Sequence, residues 1–223
     1  MNKNTILIGV GVLVIALVAA LSILGIFSFE NQNEPVATVN GEEIIKKDFN
    51  FLYDQIEQTY ILQGQEAQLE TPGFSDQLER EVLNQLISQV LLTQIAIENG
   101  YSASQEEVDS QYQSLVAQAG GEEALNDLYD EFNLTEDYIR ADIETQIIIG
   151  KYIDNAKEGQ VDEVTDQEAL DYYNQLADTQ EGLPEFSEIE ETIKIELQQQ
   201  KDGEFVNSLV SDLSEAAEIE ILL

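Results

Sequence analysis

Apolar and polar positions alternate at the start of the folded region. Val36-Ala37-Thr38-Val39 reads as a strand, and Ile44-Ile45 resumes the pattern after Asn40-Gly41. Asn-Gly between two apolar runs is the strongest short hairpin signal, because both residues accept the positive φ of a type I′ turn. From Lys46 the period changes from two to 3.6. A first helix is predicted over about Lys46–Leu62, with Phe49, Tyr53, Ile56 and Tyr60 on one side, and Pro72-Gly73 then breaks the chain.

A second helix opens near Ser75 and ends at Asn99-Gly100, a suitable carboxyl-terminal cap. Its broad stripe of Leu78, Val82, Leu83, Leu86, Ile87, Val90, Leu91 and Ile95 predicts a central, buried element. Ser104-x-x-Glu107 is a capping box opening a third helix through Val108, Tyr112, Leu115 and Val116, which Gly120-Gly121 ends. A short helix with Ala124, Leu125, Leu128 and Phe132 follows. Thr135 then caps a long helix through Ile139, Ile143, Ile147 and Tyr152, stopping near Gly159. Thr165-x-x-Glu168 and Ser187-x-x-Glu190 read as two more capping boxes, separated by Gly182-Leu183-Pro184. Gly203 falls inside the last helix. Glu218-Ile219-Glu220-Ile221-Leu222 returns to period two and reads as a closing strand.

The layout is strand, six or seven helices, strand. A lone strand would leave its backbone donors and acceptors unpaired, so the two ends are expected to pair in one small sheet. The fold class is mainly α, with no internal repeat and no low-complexity tract.

The amino-terminal segment differs from the rest. The run Ile6–Phe27 is apolar over 22 residues, on every face, with Lys3 before it and Glu30 after it. At 1.5 Å per residue it reaches roughly 33 Å, the thickness of a bilayer core. A cleavable signal peptide has an apolar region of about 7–15 residues and a small-x-small site. Here the run is longer and ends in bulky Ile26-Phe27-Ser28-Phe29. Residues 1–29 therefore predict a cytoplasmic tip and a single-pass anchor, with a cleaved leader as the competing reading. Residues 30–35 read as a linker, and 36–223 as a helical domain placed outside the cytoplasm by the positive-inside rule.

Charge narrows the function. The chain of 223 residues has 43% hydrophobic residues, 45 acidic and 9 basic ones, a formal net charge of −36. Such a surface cannot neutralise phosphates, which excludes general nucleic-acid binding. Cysteine and histidine are absent. Disulfides, thiol nucleophiles, zinc–thiolate sites and the usual neutral-pH proton shuttle are excluded with them. No stretch fits an EF-hand calcium loop or a phosphate-binding glycine loop, so no metal, nucleotide or other cofactor is expected. Asp162, Glu163 and Asp166 gather at a helix start, where the helix dipole favours acids. Glu168, Asp171 and Asp178 are carboxylates in an acid-rich chain, not a paired catalytic set. Asn133-Leu134-Thr135 matches a glycosylation sequon, but Thr135 is read as a helix cap.

Val36-Ala37-Thr38-Val39-Asn40-Gly41-Glu42-Glu43-Ile44 with Lys47-Asp48-Phe49, placed after an export segment, resembles the start of the SurA/PrsA-type foldases. Val82-Leu83-Asn84-Gln85-Leu86-Ile87 with Leu91-Leu92 is similar to that family's central helix. Val164-Thr165-Asp166-Gln167-Glu168-Ala169 with Tyr172-Tyr173 is similar to the helix leading into its parvulin domain, and Phe186-Ser187-Glu188-Ile189 through Lys201 to the helix after it. Only eight residues separate Ala177 from Phe186, where a small domain needs on the order of a hundred. The resemblance thus implies a SurA N-terminal-like chaperone domain without the prolyl isomerase, and no enzyme activity.

It also implies a cradle for unfolded or partly folded exported polypeptides, which present apolar side chains and free backbone groups. Candidate client contacts are the aromatic residues near breaks in the helices: Phe49, Tyr53, Tyr60, Phe74, Tyr112, Tyr129, Phe132 and Tyr138. Core packing is the ordinary alternative for each, and tyrosine tolerates partial exposure best. The expected function is a membrane-anchored extracytoplasmic chaperone. The alternative is an anchored helical scaffold that docks a single folded envelope or secretion partner.

From Glu30 onward, 45 acids face 8 bases, a net of −37 spread along the chain. Salt screens such self-repulsion, as in a protein adapted to saline surroundings. The thermal midpoint is therefore expected to rise between low salt and about 1 M salt. A midpoint unchanged by salt would show that the acid surface is not under strain.

Overall fold

The computed structural model describes residues 32–131, 134–179 and 182–223. Strand β1 (Pro35–Val39) and strand β2 (Glu42–Ile45) form the hairpin. Asn40 and Gly41 have φ of 52° and 84°, the two positive values a type I′ turn requires. The helices are α1 (Lys46–Leu62), α2 (Glu66–Leu69), α3 (Phe74–Glu98), α4 (Gln105–Ala119), α5 (Glu122–Glu131), α6 (Glu136–Ala156), α7 (Asp166–Thr179) and α8 (Phe186–Ala216), and strand β3 (Ile219–Ile221) closes the chain. The protein is mainly helical with one antiparallel sheet of order β2-β1-β3. The expected pairing of the two ends is present: Val39 faces Glu42 on one side and Ile219 on the other. The single-turn α2 lacks enough apolar positions to show a period, and sequence patterning does not foresee it.

Helix ends follow the cap chemistry. Ser104 and Glu107 make the reciprocal capping box, and Thr165 and Glu168 repeat it. The hydroxyl of Thr135 accepts from the Tyr138 N–H at 3.2 Å. Gly100 closes α3 at φ 84°, its N–H donating to Ile97 O. The third expected capping box differs. Helix α8 opens two residues earlier than that box implies, at Phe186, so Ser187 lies inside its first turn and Glu190 pairs with Lys194 instead. Gly203 does not interrupt that helix, since one glycine costs only about 1 kcal/mol.

Among the described residues no helix is long and apolar enough to cross a membrane. The expected anchor, Ile6–Phe27, lies outside the described residues.

The chain divides into two compact units. The first runs to Tyr152 and includes Ser214–Leu223. Helix α3 buries Leu78, Val82, Leu83, Ile87, Leu91, Leu92 and Ala96, packing on α1 and the hairpin. A second core joins α4, α5 and α6 through Val108, Tyr112, Leu115, Leu125, Leu128, Ile139 and Ile143. The second unit, Ile153–Leu213, buries Ile153, Ala169 and Ile193. Ion pairs reinforce this small core: Lys194 to Asp166 at 2.7 Å, Lys201 to Glu168 at 2.7 Å and Lys157 to Asp202 at 2.8 Å.

The hairpin turn is tied to both α3 and the chain end. Asn40 N–H donates to Glu218 O at 2.8 Å, and Asn40 Oδ1 accepts from the Glu218 N–H at 2.9 Å. Asn40 Nδ2 donates to Gln94 Oε1 at 2.8 Å, while Gln94 Nε2 donates to Val39 O and Glu42 Oε2. Asn40→Gly keeps the positive φ but deletes the side-chain bonds, and is expected to cost about 1–2 kcal/mol. Asn40→Val should cost more, because a β-branched residue resists positive φ. Chemical denaturation checks the order; equal stability of the glycine variant and the parent would remove the side-chain role.

Candidate functional site

Helix α1 carries apolar residues on two sides. Phe49, Tyr53 and Tyr60 form a packing stripe. Phe49 and Tyr53 stack with centroids 6.2 Å apart, Tyr60 meets Phe74 edge-to-face at 5.1 Å, and the Tyr53 hydroxyl lies 3.3 Å from Ser75 Oγ. The Tyr60–Phe74 and Tyr53–Ser75 contacts join α1 to the start of α3, and the Phe49–Tyr53 stack lies within α1. The other side of α1, with Asp48, Leu52, Gln55, Ile56 and Thr59 at three- and four-residue spacing, faces an open groove of about 540 Å³.

The remaining walls have the same origin. Helix α3 contributes Gln85, Leu86, Gln89, Val90 and Thr93, and helix α6 contributes Tyr138, Ala141, Asp142, Thr145 and Gln146. Glu42, Glu43 and Ile44 of β2 close one end. Phe51, Leu52, Ile56, Leu86, Val90 and Tyr138 are each only half-buried. The groove therefore keeps apolar surface accessible, alternating with glutamine amides and threonine hydroxyls able to bond a peptide backbone.

Its polar groups are ordered. The Tyr138 hydroxyl donates to Asp48 Oδ1 at 2.8 Å, and its ring packs edge-on against Phe51 at 6.2 Å. Burial and the Asp48 carboxylate push the Tyr138 hydroxyl pKa upward, so it remains a donor. Burial also raises the Asp142 carboxyl above the usual carboxylate range. The Gln89 and Gln146 amides oppose that shift, and the Asp48 charge adds to it. Lys47 Nζ lies 4.7 Å from the Tyr138 ring centroid.

The sequence-predicted aromatic candidates divide among three places. Tyr138 lines the groove. Phe49, Tyr53, Tyr60 and Phe74 lie at the α1–α3 junction. Tyr112 and Tyr129 are buried in the α4–α5–α6 core, their hydroxyls 3.3 Å apart and the Arg140 guanidinium 4.2 Å from the Tyr112 ring. Phe132 lies outside the described residues. Sequence reasoning missed Phe51, Leu52, Leu86 and Val90 as groove residues. The available signal was the width of the apolar surface on α1, where aromatic or aliphatic residues at 49, 51, 52, 53, 56 and 60 exceed what one packed face needs.

The acid clusters resolve into ion pairs and caps. Asp166 pairs with Lys194, Glu168 with Lys201, and Asp171 accepts from Gln167. Among the described residues no group of three or more acids could hold a metal ion.

These environments set the acid response. Burial, with Glu57 nearby, pushes the Asp54 carboxyl up to about 6. A carboxyl raised in the folded state favours folding below its unfolded pKa and loses that contribution as pH rises through about 6. Glu107 is lowered to about 2, first by the Lys151 hydrogen bond and then by Ser104. Glu168 is lowered to about 2 by Lys201 and Thr165. Their stabilisation is present above the ordinary carboxylate pKa and lost as pH falls toward 2. In low salt the thermal midpoint is expected to peak between about pH 4 and 5 and to fall as pH rises to about 6, and Asp54→Asn should flatten that fall. A midpoint constant from pH 4 to 8 would contradict this.

The SurA-like N-terminal domain profile matches residues 1–133, which include the hairpin, α1 and α3. No curated protein matches the chain. The matched stretch exceeds half of the 223 residues and takes in the hairpin and the central helix expected to resemble that family; residues 164–201, also expected to resemble it, lie outside the match. The chain belongs to the SurA-like N-terminal domain family.

Proposed function

We propose that this protein is a membrane-anchored extracytoplasmic chaperone. It holds unfolded or partly folded exported polypeptides in the groove between α1, α3 and α6, without prolyl isomerase activity and without nucleotide or other cofactor. The observation that carries this reading is the groove itself: a conduit of about 540 Å³ whose apolar lining is half-exposed and interleaved with amides. That volume lies within the ~300–1,000 Å³ of ordinary ligand pockets and suits a few side chains of an extended segment. Accessible apolar surface is unfavourable in water, and a client's apolar side chains would cover it.

Membership of the SurA-like N-terminal domain family supports the chaperone reading. The uninterrupted apolar run Ile6–Phe27 supports the anchor, with residues 30–223 outside the cytoplasm. The absence of histidine and the eight residues between Ala177 and Phe186 support a chaperone without the isomerase. Binding of this kind is weak and reversible, and the surrounding acid surface keeps loaded complexes apart by mutual repulsion.

The full chain, reconstituted in lipid nanodiscs, is expected to suppress aggregation of a denatured model protein at several-fold excess. Leu52→Ser with Ile56→Ser should lose most of that suppression while retaining helical circular dichroism. Tyr173→Phe, in the second unit, should retain it. Refolding of a proline-limited substrate should not accelerate. A folded chain that suppresses nothing, yet retains one stoichiometric partner in a pull-down, would favour the docking scaffold.

A further inference from the structure

The charge of the groove lining is one-sided. Among the described residues four carboxylates line it, Glu42, Glu43, Asp48 and Asp142, and no lysine or arginine does. Lys47, near the Tyr138 ring, is not part of the lining. Elsewhere Arg140 sits on Asp109 and Glu136, Lys151 on Glu107, and Lys157 on Asp154 and Asp202. In the groove, Asp142 is held by neutral amides and Asp48 by a tyrosine hydroxyl.

We propose that the groove selects client segments in which a lysine or arginine stands among apolar residues, with the cation seated between Asp48 and Asp142 and the apolar neighbours on Leu52, Ile56, Leu86 and Val90. This deepens the chaperone reading and rests on it.

Three physical points converge. Both carboxylates line the groove, and the Asp48 charge raises the cost of charging Asp142. A cation placed between them relieves that repulsion. The methylene stem of a lysine or arginine can lie along apolar surface while its head stays with the acids. Partial burial of Asp142 excludes much of the water that screens acids on the open surface, so a contact here is stronger than one with the general surface charge. Charge complementarity thus sets which apolar segments enter, while apolar contact supplies the affinity.

The test is fluorescence anisotropy on the full chain in nanodiscs, at about 0.15 M salt. The probes are two labelled peptides of alternating apolar and polar residues, identical except for one central lysine replaced by glutamine. The lysine peptide is expected to bind about tenfold tighter, the factor of one partly desolvated charge-assisted contact. Asp142→Asn and Asp48→Asn should each remove most of that preference, read as the ratio of the two peptides' affinities. Asp212→Asn makes the same change in net charge on α8 and should leave the preference intact.

Equal affinity for the two peptides would overturn the selection while preserving the chaperone groove. Equal loss in all three variants would assign the preference to overall charge and overturn the site. Binding of neither peptide would overturn the groove reading itself. Sedimentation showing a dimer that peptides cannot dissociate would instead give the groove to a second copy of the chain.

Discussion

Asn40 holds the two ends of the described chain in one place. Its backbone occupies a positive φ that the type I′ turn needs, its main chain and side chain both bond Glu218, and its amide reaches Gln94. Gln94 in turn binds Val39 O and Glu42. One residue therefore couples hairpin, central helix and closing strand. Were that coupling lost, β3 would rest on its ladder with β1 alone, and the hairpin would keep only the Gln94 bonds and packing contact with α3. The walls of the groove descend from this arrangement. Glu42, Glu43 and Ile44 lead from the turn directly into α1, so the position of the turn on α3 sets how α1 and α3 face each other.

The acid surface imposes a second constraint. With 45 acids and 9 bases, cations are too few to neutralise the molecule. Arg140, Lys151, Lys157, Lys194 and Lys201 each join separate segments through one charge. Lys151 reaches Glu107 and the Ser102 carbonyl, linking α6 to the start of α4. In the second unit, Lys157 and Asp202 have side chains only 23% and 16% exposed, so their pairing is less screened than an ordinary surface pair. That unit buries few large side chains and relies on such bridges more than the first does. Salt acts on these features in opposite directions, weakening the bridges while relieving the general repulsion, and the balance favours salt because the repelling acids far outnumber the bridges.

The groove combines both themes. Helix α1 is amphipathic on two sides, one stripe packing on α3 and the other left half-covered. A stable core alone would not need the second stripe. Its half-exposure, beside amides and carboxylates, separates this surface from the packed aromatic pairs Tyr60–Phe74 and Tyr112–Tyr129.

Local chemistry was legible in the sequence wherever a short-range rule dominates. Asn40-Gly41 specified its turn through backbone sterics, the Ser104 and Thr165 boxes located helix starts through orphan N–H groups, and Asn99-Gly100 located a helix end. The pairing of first and last strands also followed, because unpaired backbone is costly. Sequence alone could not say which aromatic residues pack and which stay accessible. Periodicity places Tyr53 and Ile56 on one side of α1, yet Tyr53 joins the α3 junction and Ile56 lines the groove, since the side of a helix is divided only when its neighbours arrive. The second unit and its bridges are likewise tertiary facts, because Lys194 and Asp166 are 28 positions apart in sequence and meet only when α7 and α8 pack. Turns and caps depend on atoms within a few residues of one another; grooves and cross-links depend on the relative placement of whole helices, which is decided by burying the most apolar surface that the chain can bring together.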